Sequence, residues 1–273
     1  VAMDPLMTSA YTGVNGGFVV VTADDPGLHS SQNEQDNRLL SKFAKMPLIE
    51  PASPSEAKKF IKLAFDISEQ FDIPVLFRLT TRVAHTKENV EIGHRLEKEN
   101  KIFEKNPQKY VMVPANAYKK HILLEEKLLK LKEYSEKSEM NFIVIKDKEI
   151  GFVTDGVSYL YVKEAYPNAS VLKLAMVYPF CDDKIKEFAN QVKTIVVVEE
   201  NEPFIEEHLL QIGIKCTGKH YTYRVGELKP ENIKDIVESK PKTSHPGGAR
   251  RPVLCSGCPH RAVFVALRKT KVF

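Results

Sequence analysis

At 273 residues the chain is long enough for one large domain or two of medium size. Its 40 Lys and Arg against 36 Asp and Glu leave a net charge of +4, too small to point to nucleic acid or an anionic membrane. No apolar run approaches the roughly 20 residues a bilayer requires, no basic-then-apolar leader opens the chain, and four cysteines are too few for a disulfide framework, so the reading is a cytoplasmic protein without membrane or nucleic-acid partners.

Residues 1–12 read as the last turns of a helix, with Leu6, Met7, Ala10 and Tyr11 at helical spacing, closed by Gly13 and the Gly16-Gly17 pair. Residues 17–22 form an apolar, β-branched run of the kind that makes a strand buried on both faces. Asp25-Pro26-Gly27 stops it, since Pro cannot donate to a ladder and Gly admits positive φ. The turn that follows holds His29, Ser30, Ser31, Gln32, Asn33, Gln35 and Asp36, almost nothing a core would want. Ligands of open α/β sheets sit outside the carboxyl ends of the strands, which is where this turn falls; a solvated loop capping a helix near Asp36 is the alternative. Leu39, Leu40, Phe43 and Ala44 recur at helical spacing, and residues 47–51 are a short strand. Ser53, Pro54 and Glu56 supply an N-cap, a first helical position and a capping-box acid for a helix to about Phe71, with Ala57, Phe60, Ile61, Ala64, Phe65 and Ile67 inward. Residues 74–80 are the next buried strand, and this alternation predicts a doubly wound parallel sheet.

From Lys87 to about Ser138 the chain turns Lys- and Glu-rich, and 115–134 is an amphipathic helix with Ile122, Leu123, Leu128, Leu129 and Leu131 as its stripe. The interleaved glutamates cancel the lysines, so a solvated linker helix is favoured over a basic patch. A second α/β unit follows, with strands at 141–145, 150–154, 170–175 and 194–198 and helices at 157–166, 182–191 and 203–212. Glu199 and Glu200 end its last strand on opposite faces and so do not form an acid/base pair. Residues 240–252 read as a connector rich in Pro, Gly, Ser and Lys.

Two further segments carry chemistry-bearing residues. Thr80 to His85 follows the strand at 74–80 and emerges on the same rim as the turn at 24–38. Arg82 there can clamp a carboxylate or phosphate, or simply pair with a neighbouring acid. Cys255 and Cys258, with His260 nearby, can bind metal, form a redox pair, or serve only as a strand-to-helix turn around Gly257 and Pro259; Cys181 and Cys216 have no matching spacing.

Three stretches together, Asp25-Pro-Gly-Leu-His-Ser-Ser-Gln-Asn-Glu-Gln-Asp36, Arg78-Leu-Thr-Thr-Arg-Val-Ala-His85 and Leu254-Cys-Ser-Gly-Cys-Pro-His-Arg261, resemble the large subunits of thiamine-diphosphate-dependent 2-oxoacid:ferredoxin oxidoreductases, and among them those acting on aryl 2-oxo acids such as indolepyruvate. The resemblance covers the whole chain as an internal piece of a longer protein. It implies the C-terminal part of a pyrimidine-binding thiamine domain (1–95), a helical linker (96–139), a transketolase C-terminal-like α/β domain (140–238), and a connector with the start of a diphosphate-binding domain (239–273).

The resemblance further implies coenzyme A-dependent oxidative decarboxylation, giving an aryl-acetyl-CoA, carbon dioxide and reduced ferredoxin. Thiamine diphosphate, Mg2+ and 4Fe-4S clusters are the implied cofactors, and a smaller beta subunit and ferredoxin the implied partners in a hetero-oligomer. Arg82 matches the arginine that related pyruvate enzymes place on the substrate in an Arg-x-Ser-His setting, with Ala84 where the serine stands. Ser30, Ser31, Gln32, Asn33, Gln35, Asp36 and Thr81 would line the substrate and cofactor cleft, with His29 and His85 as candidate catalytic groups. Cys255 and Cys258 resemble paired cluster-binding cysteines, with Ser256 where the family usually has Pro. Most other cofactor ligands are expected before Val1 or after Phe273, and the piece alone is expected to be inactive. A non-oxidative thiamine decarboxylase or ketolase, and an inactive subunit-contact fragment, are the alternatives.

Overall fold

A computed structural model describes residues 2–29, 31–95, 97, 101–242 and 258–270. The chain divides into two compact units, residues 1–242 and residues 243–273. The first unit opens with α1 (Met3–Thr12), closed by Gly13 at φ 77° as the sequence implies. β1 (Val19–Asp24), α2 (Asn37–Ala44), β2 (Leu48–Ile49), α3 (Pro54–Phe71) and β3 (Val75–Thr80) then follow in the expected alternation. β1 and β2 both pair parallel with β3, and Asp24 lies opposite Thr80, so the turns after β1 and β3 leave the sheet side by side.

Three expectations for this half change. β1 is an edge strand, and Val21 is exposed rather than buried on both faces. α2 covers a different face from its apolar stripe: Arg38, Ser41 and Ala44 are buried and Leu40 packs against the core, whereas Leu39 and Phe43 face outward. The physical reason is Arg38, whose guanidinium finds its partners only on the inner side. α3 forms as expected; the Ser53 hydroxyl accepts the Glu56 amide at 3.3 Å and the Glu56 carboxylate accepts the Ala52 amide at 2.7 Å. Phe60, Ala64 and Ile67 point inward, but Phe65 is exposed.

After the short α4 (Thr81–His85) and α5 (Pro107–Tyr110) comes α6 (Pro114–Lys137). It buries Leu124, Leu131 and Ser135, while Ile122, Leu123 and Leu129 are exposed. The buried positions i, i+7 and i+11 lie on one face of a helix, and that face is set by what packs against it rather than by the richest local stripe.

β4 (Phe142–Val144), β5 (Asp147–Asp155), α7 (Ser158–Ala165) and β6 (Ala169–Leu174) begin the second sheet. β7 (Met176–Tyr178), α8 (Asp182–Ala189), β8 (Thr194–Val198), α9 (Phe204–Gln211) and α10 (Asn232–Val237) complete the unit. This sheet has order β4-β6-β5-β8, with β5 parallel to β6 and β8 and with β4 antiparallel. β7 was not foreseen: it leaves the second sheet and pairs antiparallel with β2 of the first, giving that sheet the order β1-β3-β2-β7.

One apolar core runs through both sheets, from Ile49, Leu76 and Phe77 to Val153, Leu172, Leu174 and Phe188. Burying each such side chain is worth roughly 1.5–3 kcal/mol, so neither sheet is an independent layer. A second cluster around Phe152, Val162, Val196, Tyr223 and Ile233 covers the far face of the second sheet. The described part of the second unit carries α11 (His260–Lys269). No described helix is long and apolar enough to cross a membrane.

Candidate functional site

The carboxyl ends of both sheets meet in a buried ionic cluster. Arg38, fully buried, donates to Asp36 at 2.6 Å, to Asp155 at the end of β5 at 2.9 Å, and to Glu199 after β8 at 2.6 Å. It also donates to the carbonyls of Glu200 and Glu202 at 2.6 and 2.9 Å. Arg78, from β3, donates to Asp24 at 2.5 Å, to both oxygens of Glu50 at 2.7 Å, and to Asn201 at 3.2 Å. Gly156, at φ 45°, lies so close to Glu50 that a Cβ there would overlap the carboxylate. Burial pushes the Asp36 carboxyl up, but the guanidiniums of Arg38 and Arg78 more than offset it and hold it well below its ordinary value. Glu199 takes the Ile205 and Glu206 amides at the start of α9, whereas Glu200 takes the Leu228 amide at 3.1 Å. The two acids thus serve different neighbours, as their alternation along the strand implies.

Above this cluster sits the rim formed by the turns after β1 and β3. Buried Asp25 ties them together, accepting the Ser31 amide at 2.9 Å and the Thr81 hydroxyl at 2.5 Å. Glu34 accepts the Gly27 amide at 2.5 Å and, with the same oxygen, the Gly226 amide at 2.7 Å. The turn is thereby pinned to the segment before α10. From that segment Glu227 points its carboxylate at Arg82, 2.5 Å from Nη2, and at His29, 3.3 Å from Nε2. Hydrogen bonding to Glu227 raises the pKa of the Arg82 guanidinium above its ordinary value, and nearby Tyr161 adds to this. Arg82, Tyr161, Glu227, Lys229, Pro230 and Glu231 line an open cleft of about 360 Å³.

The candidates from the sequence therefore separate. His29, Ser31, Thr81 and Arg82 are gathered on one rim. Gln32 and Asn33 are exposed, and the Gln35 amide donates to the Asn33 carbonyl at 2.6 Å. Asp36 is the N-cap of α2, with both oxygens engaged by Arg38 and by the Glu202 amide. His85 is exposed at the end of α4. Ser30 and Cys255 lie outside the described residues. Cys258, in the second unit, has its Sγ 3.6 Å from Nδ1 of His260. Sequence reasoning missed Glu227 and Tyr161, which sit in segments with no motif, and did not single out Asp25 within the turn it quoted.

Among the described residues no group of three His, Cys, Asp or Glu side chains is arranged to hold a metal ion. The donors of the described residues do not by themselves make a magnesium or iron–sulfur site.

No family model matches the chain. It is 42% identical to the indolepyruvate oxidoreductase subunit IorA of Archaeoglobus fulgidus and 39% identical to that of Pyrococcus horikoshii, in each case over 98% of this chain and 47% of the relative. The chain thus spans about half the length of the curated relatives it matches. Among solved structures, a 2-oxoglutarate:ferredoxin oxidoreductase from Magnetococcus marinus, with 2-oxoglutarate, coenzyme A and succinyl-CoA bound, is similar with a TM-score of 0.57 at 13% identity, covering 86% of this chain and 55% of that one. The likeness at that identity speaks to fold: an α/β sheet followed by a second α/β sheet.

Proposed function

We propose, from a chain that matches indolepyruvate oxidoreductase large subunits along nearly all its length, that it supplies the carboxylate-binding side of an aryl 2-oxo acid:ferredoxin oxidoreductase. The observation that carries the reading is the convergence of Arg82 and His29, from two neighbouring strand tips, on one carboxylate. Arg82 supplies a fork matched to a carboxylate, and His29 adds a second nitrogen from the adjoining turn. The Asp25 tie fixes the distance between the two turns, which is the kind of positioning a substrate-orienting site needs.

In the complete enzyme the reaction would be coenzyme A-dependent oxidative decarboxylation, with thiamine diphosphate supplying the electron sink and iron–sulfur clusters the path to ferredoxin. A smaller beta subunit would complete the assembly. Ser31, Gln32, Asn33, Gln35 and Thr81 would face the substrate and cofactor cleft, and Asp36 would act through the orientation of α2. His85, Ser30 and the Cys255 and Cys258 pair stay as candidates from the resemblance.

The test is product analysis with the complete enzyme and its partner subunit. Indolepyruvate with coenzyme A should yield aryl-acetyl-CoA and reduced ferredoxin, faster than pyruvate or 2-oxoglutarate does. Release of free aldehyde without any need for coenzyme A would reject the oxidative reading in favour of a decarboxylase.

A further inference from the structure

Glu227 is placed where an incoming carboxylate would have to go. Its side chain meets the two cationic or donor groups of the rim, Arg82 and His29. The backbone around it is held on both sides: the Gly226 amide is bound to Glu34 at 2.7 Å and the Leu228 amide to Glu200 at 3.1 Å. Gly27 packs so closely on this segment that a Cβ there would come within 3.3 Å of the Glu227 amide and 3.1 Å of His29 Nε2. The strap is therefore held at its backbone, while the Glu227 side chain lines the cleft together with Arg82. Arg82 keeps nearly half its side chain in solvent, so a ligand can reach the guanidinium from the cleft. Lys229, on the lip of the same cleft, offers a cation to a carboxylate that has swung away.

We infer that Glu227 is a built-in stand-in for the substrate carboxylate: it occupies the seat on Arg82 and His29 in the resting protein and is displaced when a 2-oxo acid binds. This rests on the reading of Arg82 as the carboxylate clamp. Glu227 is a positioning residue that sets the cost of substrate entry and selects for acids able to compete with it. Ligands lacking a carboxylate cannot displace it and do not gain from its removal.

The test uses Glu227→Gln in the complete enzyme with its partner subunit, since Gln keeps the shape and removes the charge. A partly exposed ion pair is worth at most about a fivefold change in an equilibrium. The expected result is a two- to fivefold lower KM for the 2-oxo acid with the KM for coenzyme A unchanged. Calorimetry with 3-phenylpropionate, which has the carboxylate but no keto carbon, should show a matching drop in Kd. In an Arg82→Ala background the same substitution should have no effect on either. An unchanged or raised KM for the 2-oxo acid in Glu227→Gln, alongside a raised KM in Arg82→Ala, overturns the stand-in role and leaves the clamp. An unchanged KM in Arg82→Ala overturns the clamp itself.

Discussion

Replacing Arg38 by alanine should destabilise the first unit by about 3–5 kcal/mol, the usual cost of removing one partner from a fully buried ionic group. The guanidinium neutralises carboxylates from three elements, Asp36, Asp155 and Glu199, and satisfies two carbonyls of the segment after β8. Without it those acids face one another without water, and each must take up a proton or drag the chain apart. Arg38→Lys should fall between the two, because an ammonium keeps the charge but cannot reach five acceptors as a planar fork does. Urea denaturation of the chain measures this. A loss below about 1 kcal/mol for Arg38→Ala would mean that the cluster is solvated and that the two sheets are joined by their apolar core alone.

Arg82→Ala in the complete enzyme should raise the KM for the aryl 2-oxo acid by about ten- to a hundredfold, the range set by a charge-assisted hydrogen bond to a carboxylate. The KM for coenzyme A should not move. Arg82 is half in solvent and bears no fold-stabilising burden comparable to that of Arg38, so the variant should fold normally. Equal losses for both substrates would reject the carboxylate role. Arg82→Lys should recover part of the loss, since the charge remains and the bidentate geometry does not.

The contrast between these arginines shows what a sequence reveals and what it hides. The strands 19–24, 75–80 and 194–198 are legible because β-branched runs bounded by turn residues leave few alternatives. The rim is legible for the same reason: once β1 and β3 are parallel neighbours, the turns after them must share an edge. Arg38 is not legible, because its decisive partners lie 117 to 164 residues further along the chain. Local periodicity marks Leu39, Leu40, Phe43 and Ala44 alike, but only Leu40 and Ala44 reach the core, with Arg38 buried among its acceptors on the inner side and Leu39 and Phe43 outside.

α6 teaches a related lesson. Of its local stripe of Ile122, Leu123, Leu128, Leu129 and Leu131, Leu131 is in the core and Leu128 packs against it, whereas Ile122, Leu123 and Leu129 are exposed and Leu124, outside the stripe, is buried, because the neighbouring elements decide which face is covered. β7 is three residues long and carries no turn signal that would separate it from β6. Glu227 has no motif around it and matters only through its two contacts on the rim. Such residues become visible only when the distances are known.

The most direct measurement is a crystal structure of the complete enzyme with an aryl 2-oxo acid bound. The account predicts the substrate carboxylate within about 3 Å of the Arg82 guanidinium, on the rim shared with Ser31 and His29, with Glu227 turned away. A carboxylate held elsewhere, with Arg82 still paired to Glu227, would contradict it.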